Sequence, residues 1–369
     1  SDEAFYTESQ VEERVNPVTG RKEMVAIESG QPVEWTAEEN YKFRLGEFKE
    51  KLIDWINSNP QGDVDHTIYV WLDALVNYAT VDGYPELSTK YFPADVHVVG
   101  KDILRFHAVY WPAFLMAAGL PLPARILAHA HWTMENMKMS KSRGNVADPF
   151  QAIDRFGVDP VRYYLLRNGG LADDGDYSDQ AVAIHYKKDL AGQLGNLASR
   201  CMAKKMSPQL SRFAEIGERE RTRGEEHNID PRDAALRKAL TSLQARTGGY
   251  FDQQEFGKGI SHIFESVSLA NKYISDNEPW QLVRAATGGD AAAKERLQVV
   301  LFYALETARI AGVLLQPIIP TKSTELLDVL GVSADERRWH NSEFGTGWTT
   351  TQSGAVAAAS VKPLFPRIE

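Results

Sequence analysis

Two lysines three residues apart form the clearest chemical signal in the chain, in Lys138-Met139-Ser140-Lys141-Ser142. Arg143 and Gly144 follow at once, so the stretch is basic and its backbone is flexible. A mobile loop of this kind can bring two point charges onto a polyphosphate and stabilise the charge that builds up on a departing pyrophosphate. The ordinary alternative for such a run is a basic surface loop. The spacing indicates a candidate site for phosphate chemistry.

Elements on both sides of this lysine stretch must position it. Before it, the apolar run Arg125 to His129 predicts a buried strand, and after it Asp148-Pro149 predicts a helix N-cap and first helical residue. Further upstream, Thr67 to Trp71 predicts a strand that runs into a helix from Leu72 to Tyr78, and Val96 to Val99 predicts another strand. Three strands that alternate with helices indicate a parallel sheet, whose ligands bind at the carboxyl ends of the strands.

Candidate binding residues fall at these strand ends, at Trp71, Gly100 to Asp102, and His129. One face of the helix predicted after Asp102 is expected to carry Ile103, Phe106, His107 and Tyr110. A carboxylate at a helix start can bind an ammonium group or a ribose hydroxyl, and His107 one turn later faces the same cleft. Taken singly, Asp102 is an ordinary N-cap and His107 an ordinary hydrogen-bonded core histidine. Trp71 and Tyr78 are likewise ordinary core aromatics by residue type.

The second half of the chain changes character. Asp159-Pro160 is predicted to cap a helix over Val161 to Arg167, and Asp173 to Asp176 predicts an acidic turn. From Ser178 to Leu330 the pattern is helical throughout, apart from a polar interruption at Glu218 to Asn228 that we interpret as a solvated loop. Strand-helix alternation followed by helices alone predicts an α/β nucleotide-binding domain joined to an all-α bundle.

One helix of this second half carries a polar pair. Asn196 and Arg200 are four residues apart and therefore share a helix face, with Lys204 one turn further and Lys205 beside it. An amide and a guanidinium at this spacing can read the edges of unstacked bases, while lysines meet phosphate. Trp280, in Asn277-Glu278-Pro279-Trp280, is the candidate stacking partner. A solvated helix face is the alternative interpretation of the pair.

The two ends of the chain carry less information. A hairpin is predicted around the turn Asn16 to Gly20, and two helices are predicted between residues 36 and 59. The stretch from Ser1 to Tyr6 is typical of a domain interior, so we expect the natural start of the protein to lie upstream. The tail from Ala355 to Glu369 ends in an apolar, proline-flanked segment that can pack onto a domain.

Composition narrows the class of protein. The 369 residues are 43% hydrophobic and 25% charged, as in an ordinary globular chain of about two domains. A net charge of −9 argues against wholesale non-specific binding to nucleic acid but allows a local basic face. The single cysteine, Cys201, excludes an internal disulfide. The longest apolar stretch, Val299 to Pro320, has Glu306 and Arg309 in its middle and is interpreted as a core helix rather than a membrane span.

The motifs together resemble a known family. Lys138 to Ser142 matches the signature loop of class I aminoacyl-tRNA synthetases, and the blocks Tyr69 to Ala74 and Gly100 to His107 match the methionyl-tRNA synthetases. The chain is most similar to organellar and bacterial members. An enzyme specific for valine, leucine or isoleucine is a minor alternative, against which both blocks argue. His129-Ala130 departs from the usual His-Gly of the family, because Ala130 adds a methyl group.

The resemblance implies a role for each candidate residue. Lys138 and Lys141 would be the catalytic groups on the ATP phosphates, with Gly100, Asp102 and His129 as further ATP-binding residues. The methionine-binding residues would be Trp71, Tyr78, Asp102 and His107. The tRNA anticodon CAU would be read by Asn196, Arg200 and Trp280. ATP with Mg²⁺ is expected as substrate, and no metal site, zinc included, is expected in this chain.

The resemblance also implies an architecture and a function. The predicted fold is the C-terminal half of a Rossmann-like parallel sheet followed by an α-helical anticodon-binding bundle. The predicted segments are the end of a connective insertion (1–35), a partial catalytic domain (36–177), the anticodon-binding domain (178–335) and a tail (336–369), which would pack back on the catalytic body. The expected reaction is ATP-dependent attachment of methionine to tRNA(Met), by a monomer without membrane contact, in the mitochondrial matrix or alternatively the cytoplasm.

One family motif is absent from the sequence. Class I synthetases carry a His-Ile-Gly-His-type motif whose histidines contact the ATP phosphates, and no such stretch occurs among the 369 residues. We therefore expect this chain to correspond to the part of a synthetase that follows the insertion. The alternative function is a non-catalytic tRNA-binding fragment, inactive without the missing half.

Overall fold

The computed structural model describes residues 11–15, 20, 22–27, 32–33, 70–86, 91–139, 144–171, 173–203, 212–222, 229–348 and 362–368. The chain divides into two compact units. Unit 1 comprises Ser1–His129 and Met139–Val146, and unit 2 comprises Ala130–Lys138 and Ala147–Glu369. The two helices predicted between residues 36 and 59 lie outside the described residues, as do Lys141, Lys204 and Lys205.

Unit 1 begins with a hairpin. Strands β1 (Val11–Val15) and β2 (Lys22–Ala26) pair antiparallel, with Val11 opposite Ala26. The predicted hairpin is confirmed, although most of its turn lies outside the described residues. The last two residues of β2, Val25 and Ala26, are both buried.

A small parallel sheet and four helical segments follow among the described residues of unit 1. Helix α1 (Val70–Thr80) precedes β3 (His97–Gly100), which pairs parallel with β4 (Ile126–His129). The segment that connects β3 to β4 contains a 3₁₀ turn (Lys101–Ile103), a π-helical segment (Phe106–Tyr110) and α2 (Trp111–Ala117). The core of this region consists of Leu75, Ala79, Phe92, Trp111 and Leu115.

Two predictions for this sheet were wrong. Trp71 does not end a strand, because it lies in the first turn of α1. Its neighbours Leu75 and Ala79 recur at helical spacing and are buried against α2, so packing overrides the β preference of the local residues. The strand before the lysine stretch is half-buried rather than buried, and its last residue, His129, is exposed.

Unit 2 opens with a second small sheet. Strands β5 (Trp132–Met134) and β6 (Met137–Lys138) form a hairpin, and β7 (Gly175–Asp176) pairs parallel with β5. Helices α3 (Pro149–Phe156) and α4 (Val158–Asn168) lie between β6 and β7 in the sequence. The N-cap prediction for Asp148 is confirmed, since its side chain accepts hydrogen bonds from the backbone N–H groups of Phe150 and Gln151.

The predicted cap at Asp159 was wrong. The N-cap of α4 is Gly157, and Asp159 is buried in the first turn of the helix. Its carboxylate accepts a hydrogen bond of 2.6 Å from the backbone N–H of Lys322 instead. The side chain therefore joins the start of α4 to the start of a helix 163 residues later in the chain.

The described residues of unit 2 that follow β7 are mostly helical. Its segments are α5 (Asp179–His185), a π-helical segment (Tyr186–Gly195), α6 (Asn196–Cys201), α7 (Phe213–Thr222), α8 (Pro231–Asp252), α9 (Phe256–Asn277), α10 (Pro279–Thr287), α11 (Ala291–Leu315) and α12 (Pro320–Val329), followed by 3₁₀ turns at Ala334–Glu336 and Trp339–Ser342. The polar interruption was predicted to begin at Glu218, but α7 continues to Thr222, with Ile216 and Glu220 buried.

Helix α11 is the core of unit 2. It is long and apolar enough to cross a membrane by length and composition, but 94% of its most apolar window is buried inside the protein. Glu306 and Arg309 are fully buried and pair at 2.7 Å, with Trp348 Nε1 donating to the same carboxylate. The prediction of a core helix is confirmed.

The described part of the tail, residues 362–368, packs in unit 2, and its expected packing on the catalytic body stays a prediction. Leu364 and Phe365 are buried in the helical core of unit 2, and Tyr186 donates a hydrogen bond of 2.5 Å to the carbonyl of Pro366. Phe365 lies against Gly195, where an added Cβ would approach its ring to 3.3 Å. This described part of the tail therefore packs on the helices that surround α6.

Candidate functional site

Three of the predicted methionine-binding residues lie together in unit 1. Tyr78 and His107 are joined by a hydrogen bond of 2.9 Å between the phenol oxygen and Nε2. The Trp71 ring meets the edge of His107 at 6.3 Å and stacks on Phe106 at 3.9 Å. Tyr78 is 38% exposed, so the group is a partly open aromatic cluster rather than a sealed core. We call Trp71, Tyr78, His97, Phe106 and His107 the aromatic cluster.

Local backbone structure sets the tautomer of His107. Its Nδ1 lies 3.0 Å from the carbonyl oxygen of Ile103, and a carbonyl can only accept. Nδ1 therefore carries the proton in the neutral ring, and Nε2 accepts from the Tyr78 hydroxyl. His107 is buried within the π-helical segment, a type of helix that is often found at functional sites. Because the Tyr78 hydroxyl donates its proton to His107, its oxygen can still accept a hydrogen bond beside the aromatic rings of the cluster.

His97 and Phe106 were not among the predicted site residues. The His97 ring lies 4.4 Å from the Tyr78 ring and 6.0 Å from the His107 ring. Burial, together with the nearby His107, lowers the pKa of His97. The sequence does show a histidine at the start of a valine-rich strand, which could have marked His97 as a candidate site residue. Only the fold, however, places that strand beside α1.

A second group in unit 1 contains the predicted ATP-binding residues Gly100, Asp102 and His129. Gly100 ends β3 and lies opposite His129 in the register of the sheet. A Cβ built on Gly100 would lie 2.6 Å from Asp102 Oδ1 and 4.0 Å from the His129 ring. Because only glycine leaves this space open, the carboxylate can turn over the end of the strand. The predicted strand-end site is therefore assembled from both strands.

Lys138 lies in unit 2, on β6 opposite Thr133. Its side chain is exposed. Glu135 and Asn136 form the hairpin turn before it, with φ angles of 56° and 60°. Lys138 is therefore both the last residue of a short paired strand and the first residue of the lysine stretch. Ala130, two residues before β5, is buried, and its backbone N–H donates a hydrogen bond to the carbonyl of Leu171.

The three predicted anticodon residues form one surface of unit 2. Asn196 and Arg200 lie on α6, as predicted, and the Arg200 guanidinium carbon lies 6.0 Å from the centre of the Trp280 ring. Trp280 is 41% exposed at the start of α10. The residue before that helix, Glu278, has a left-handed backbone. A cation near an exposed indole face is suited to stacking against a nucleic-acid base.

Asn271 on α9 supports this surface and was not predicted. Its Oδ1 accepts from Asn196 Nδ2 at 2.8 Å, and its backbone carbonyl accepts from Arg200 at 3.3 Å. Ser275 accepts a second bond from Arg200 at 3.1 Å. Asn271 also donates to the carbonyl of Gln193 in the π-helical segment. No local sequence signal links residues 75 apart, so only the packed helices reveal this support.

Metal ligation has no candidate in the part of the chain that the structure describes. Across residues 70–86, 91–139 and the other described ranges, no group of three His, Cys, Asp or Glu side chains could hold an ion. The expectation that no zinc site exists in the whole chain stays a prediction. Cys201 is a buried free thiol whose pKa is raised to about 12 by burial.

Two family models match successive parts of the chain. The model described as tRNA synthetases class I (M) matches residues 58–202, and the model described as Anticodon binding domain of methionyl tRNA ligase matches residues 224–369. The first range contains the aromatic cluster, the lysine stretch and α6, and the second contains Trp280. The chain therefore has the domain types of a class I aminoacyl-tRNA synthetase.

Sequence relatives give the particular family. A probable mitochondrial methionine–tRNA ligase of Neurospora crassa is 37% identical, over 95% of this chain and 64% of the relative. The Dictyostelium discoideum protein of the same description is 36% identical, over 99% of this chain and 70% of the relative. The mitochondrial methionine–tRNA ligase of Homo sapiens is 38% identical, over 100% and 69%. The chain belongs to the methionyl-tRNA synthetase family and spans about two thirds of these relatives.

Solved structures agree with this assignment. A Mycobacterium tuberculosis methionyl-tRNA synthetase in complex with methionyl-adenylate matches with a TM-score of 0.67 and 34% identity, over 99% of this chain and 75% of that one. The ligand-free form of the enzyme matches with a TM-score of 0.65 and 33% identity. The predicted family and fold class are confirmed.

Proposed function

We propose that this chain provides the methionine pocket, the pyrophosphate-side lysines and the anticodon-reading surface of a methionine–tRNA ligase. The observation that carries the proposal is the Tyr78–His107 hydrogen bond inside the aromatic cluster. An aromatic surface suits a thioether, and a sulfur–aromatic contact is worth about 0.3 to 1.5 kcal/mol. The methionyl-adenylate bound by the related Mycobacterium tuberculosis enzyme supports this ligand class.

The proposed reaction has two steps. A carboxylate oxygen of methionine attacks the α-phosphorus of ATP, the bond to the β-phosphate oxygen breaks, and methionyl-adenylate and pyrophosphate form. A ribose hydroxyl at the tRNA end then attacks the methionyl carbonyl, and AMP leaves. Lys138 would balance the charge gained by pyrophosphate, with Lys141, which lies outside the described residues, as its partner. Catalysis would rest on positioning and charge stabilisation.

The end of the parallel sheet would hold the adenylate. Asp102 lies over Gly100 with His129 beside it, and a carboxylate there can accept hydrogen bonds from an ammonium group or a ribose hydroxyl. Mg²⁺ would arrive with ATP, because phosphate oxygens supply much of its coordination. The surface formed by Asn196, Arg200 and Trp280 would bind the anticodon of tRNA(Met).

Location and assembly are also proposals. Mitochondrial relatives such as those of Neurospora crassa and Homo sapiens favour the mitochondrial matrix over the cytoplasm. We propose a monomer, and we propose that it makes no membrane contact, because the helix of the described residues that is apolar enough to span a membrane is already buried in unit 2.

A second function has its own support. The chain spans 64% to 70% of the three relatives described above, and no His-Ile-Gly-His-type motif occurs among its 369 residues. A tRNA-binding fragment without catalysis is the function that this observation favours.

One experiment separates the two functions. Methionine-dependent exchange of pyrophosphate into ATP would be measured on the 369-residue protein alone and mixed with the upstream part encoded by its gene, beside binding of tRNA(Met). Exchange by the chain alone supports the ligase and contradicts the fragment. Exchange only on mixing supports a ligase site shared between the two parts. Absence of exchange in both cases, with tRNA still bound, leaves the fragment.

Matched variants assign the two surfaces. Tyr78→Ala should abolish exchange while leaving tRNA binding unchanged. Asn271→Ala should weaken tRNA binding while leaving methionine KM unchanged, because Asn271 supports Asn196 and Arg200. A tRNA with a different anticodon serves as the control ligand. Equal loss of both properties in either variant would contradict the assignment.

A further inference from the structure

The acidic segment from Asp173 to Asp176, which was predicted as a turn but whose last two residues form β7, contacts the hairpin that carries Lys138; we call it the acidic turn. Asp174 Oδ1 accepts a hydrogen bond of 2.8 Å from the backbone N–H of His131, one residue before β5. Asp176 Oδ1 accepts a bond of 2.8 Å from the backbone N–H of Asn136, two residues after β5. Two carboxylates of one turn therefore hold both ends of the strand that pairs with the strand of Lys138.

The Asn136 contact lies at the most constrained point of the hairpin. Glu135 and Asn136 both have positive φ, in a two-residue turn between paired strands. Non-glycine residues seldom adopt this conformation without support. A carboxylate that accepts the Asn136 N–H favours it, because a bond to a charged acceptor is stronger than one to water. Asp176 thereby fixes which residues face each other across the hairpin.

The Thr133 side chain extends the contact toward Lys138. Its hydroxyl lies 2.8 Å from Asp176 Oδ1 and 3.1 Å from the carbonyl oxygen of Gly175. Thr133 is directly opposite Lys138, and opposite residues of an antiparallel pair share one face. The bonded threonine therefore sits beside the lysine in the strand pair.

Ring packing holds the acidic turn itself in place. A Cβ on Gly175 would lie 2.9 Å from the Trp132 ring, and one on Gly169 would lie 3.0 Å from it, so the indole fits only between glycines. Tyr164 donates a hydrogen bond of 2.7 Å to the carbonyl of Asp176. The turn is thus anchored to α4, and the hairpin is anchored to the turn.

We propose that Asp176, assisted by Asp174, is a positioning residue that sets the register and direction of the strand delivering Lys138 to the pyrophosphate. The inference rests on the proposed function, since it gives Lys138 a role only if the chain binds ATP phosphates. Asp176 itself does not touch substrate. A register slip of one residue would turn Lys138 to the opposite face of the hairpin.

The test compares Asp176→Ala with two matched variants. Asp176→Asn keeps an oxygen that can accept both bonds, and Asp173→Ala removes an exposed carboxylate from the same turn. Asp176→Ala should lower the kcat of pyrophosphate exchange roughly 10- to 100-fold with methionine KM within about twofold, as expected for a misplaced catalytic group. Asp176→Asn should restore kcat, and Asp173→Ala should match the unaltered chain.

Amide hydrogen exchange tests the same inference without catalysis. The Asn136 amide should exchange faster in Asp176→Ala but not in Asp173→Ala. If the unaltered chain shows no pyrophosphate exchange, the catalytic proposal fails. The protection of the Asn136 amide from hydrogen exchange then decides the positioning inference. Unchanged protection overturns it. In an active chain, an unchanged kcat in Asp176→Ala overturns the positioning inference. A lower kcat accompanied by a changed methionine KM and a lower thermal stability also overturns it, if Asp176→Asn fails to restore them.

Discussion

The aromatic cluster of unit 1 and the proposed anticodon-reading surface of unit 2 (Asn196, Arg200 and Trp280) differ in how far along the chain the residues that support them lie. His107 is oriented by a carbonyl four residues away and by Tyr78, 29 residues away. Asn196 and Arg200 are held by Asn271, more than 70 residues away. The first depends on a short helix and ring contacts, whereas the second depends on the packing of whole helices. Damage to the helical core should therefore reach the tRNA-binding surface first.

The largest expected effect follows from breaking the buried ion pair of α11. Arg309→Met keeps most of the side-chain volume but leaves the fully buried Glu306 carboxyl group without its ion-pair partner. Breaking such a pair costs about 3 to 5 kcal/mol. Urea unfolding followed by circular dichroism should show this loss in the free energy of unfolding.

Lys272→Met is the matched control for Arg309→Met. It breaks a helical ion pair with Asp276 whose side chains are 70% and 57% exposed. Exposed pairs contribute little, so stability should stay close to that of the unaltered chain. Equal losses in the two variants would contradict the idea that unit 2 depends on its buried network.

The next effect concerns Trp280 alone. Trp280→Ala should weaken tRNA(Met) binding roughly 5- to 150-fold, because stacking on an aromatic side chain is worth about 1 to 3 kcal/mol per base. Trp339 is the matched control, since it is 43% exposed in the same unit against 41% for Trp280. Filter binding on both variants measures the difference. Similar weakening by Trp339→Ala would remove Trp280 from the interface.

A smaller effect is expected from one hydroxyl in unit 1. Tyr78→Phe removes the bond to His107 but keeps the ring contacts with His97 and Trp111. Loss of one hydrogen bond of about 0.5 to 1.5 kcal/mol should raise methionine KM roughly two- to tenfold in the exchange assay. Tyr84→Phe, at an exposed tyrosine of the same unit, should leave KM unchanged. If Tyr78→Phe changed the affinity for tRNA(Met) rather than methionine KM, the aromatic cluster and the proposed anticodon-reading surface would not be independent.

The smallest effect is the pH dependence of the aromatic cluster. The pKa of His97 is lowered from its ordinary value of 6.5, so the unfolded chain takes up a proton before the folded chain does. The contribution to stability is complete above pH 6.5 and is lost as the pH falls below it. As the pH falls from about 6.5 to about 5.5, amide exchange in α1 should therefore accelerate by more than the change in its intrinsic rate. His97→Asn should flatten this dependence, and an unchanged profile would contradict it.

Several elements could be predicted because their signals are local. The Asp148 cap needs only the residues that follow it, and the α6 face of Asn196 and Arg200 needs only the helical period. The strand ends at Gly100 and His129 were predicted from the apolar runs before them. Tyr78 and His107 were assigned to methionine binding through motif blocks, and that role stays a prediction, while the hydrogen bond that joins them is a finding of the structure.

Other elements escaped prediction because their cause is distant in the sequence. Trp71 is helical because Leu75 and Ala79 pack on Trp111 and Leu115, which outweighs the strand preference of its neighbours. Asp159 is buried because Lys322, 163 residues later, offers its backbone N–H. Asn271 likewise acquires its role from α6, which packs beside it.

By itself, the sequence determined the chemistry that is available: a spaced lysine pair, aromatic residues around a histidine, and an amide and a guanidinium on one helix face. Residue type and short-range periodicity suffice for these, because side-chain chemistry and helical spacing do not depend on distant parts of the chain. Only the tertiary structure decided which groups support them. Asp176 beneath the Lys138 hairpin, His97 beside Tyr78 and Asn271 behind Arg200 are brought into place by packing, which joins residues that no local pattern connects.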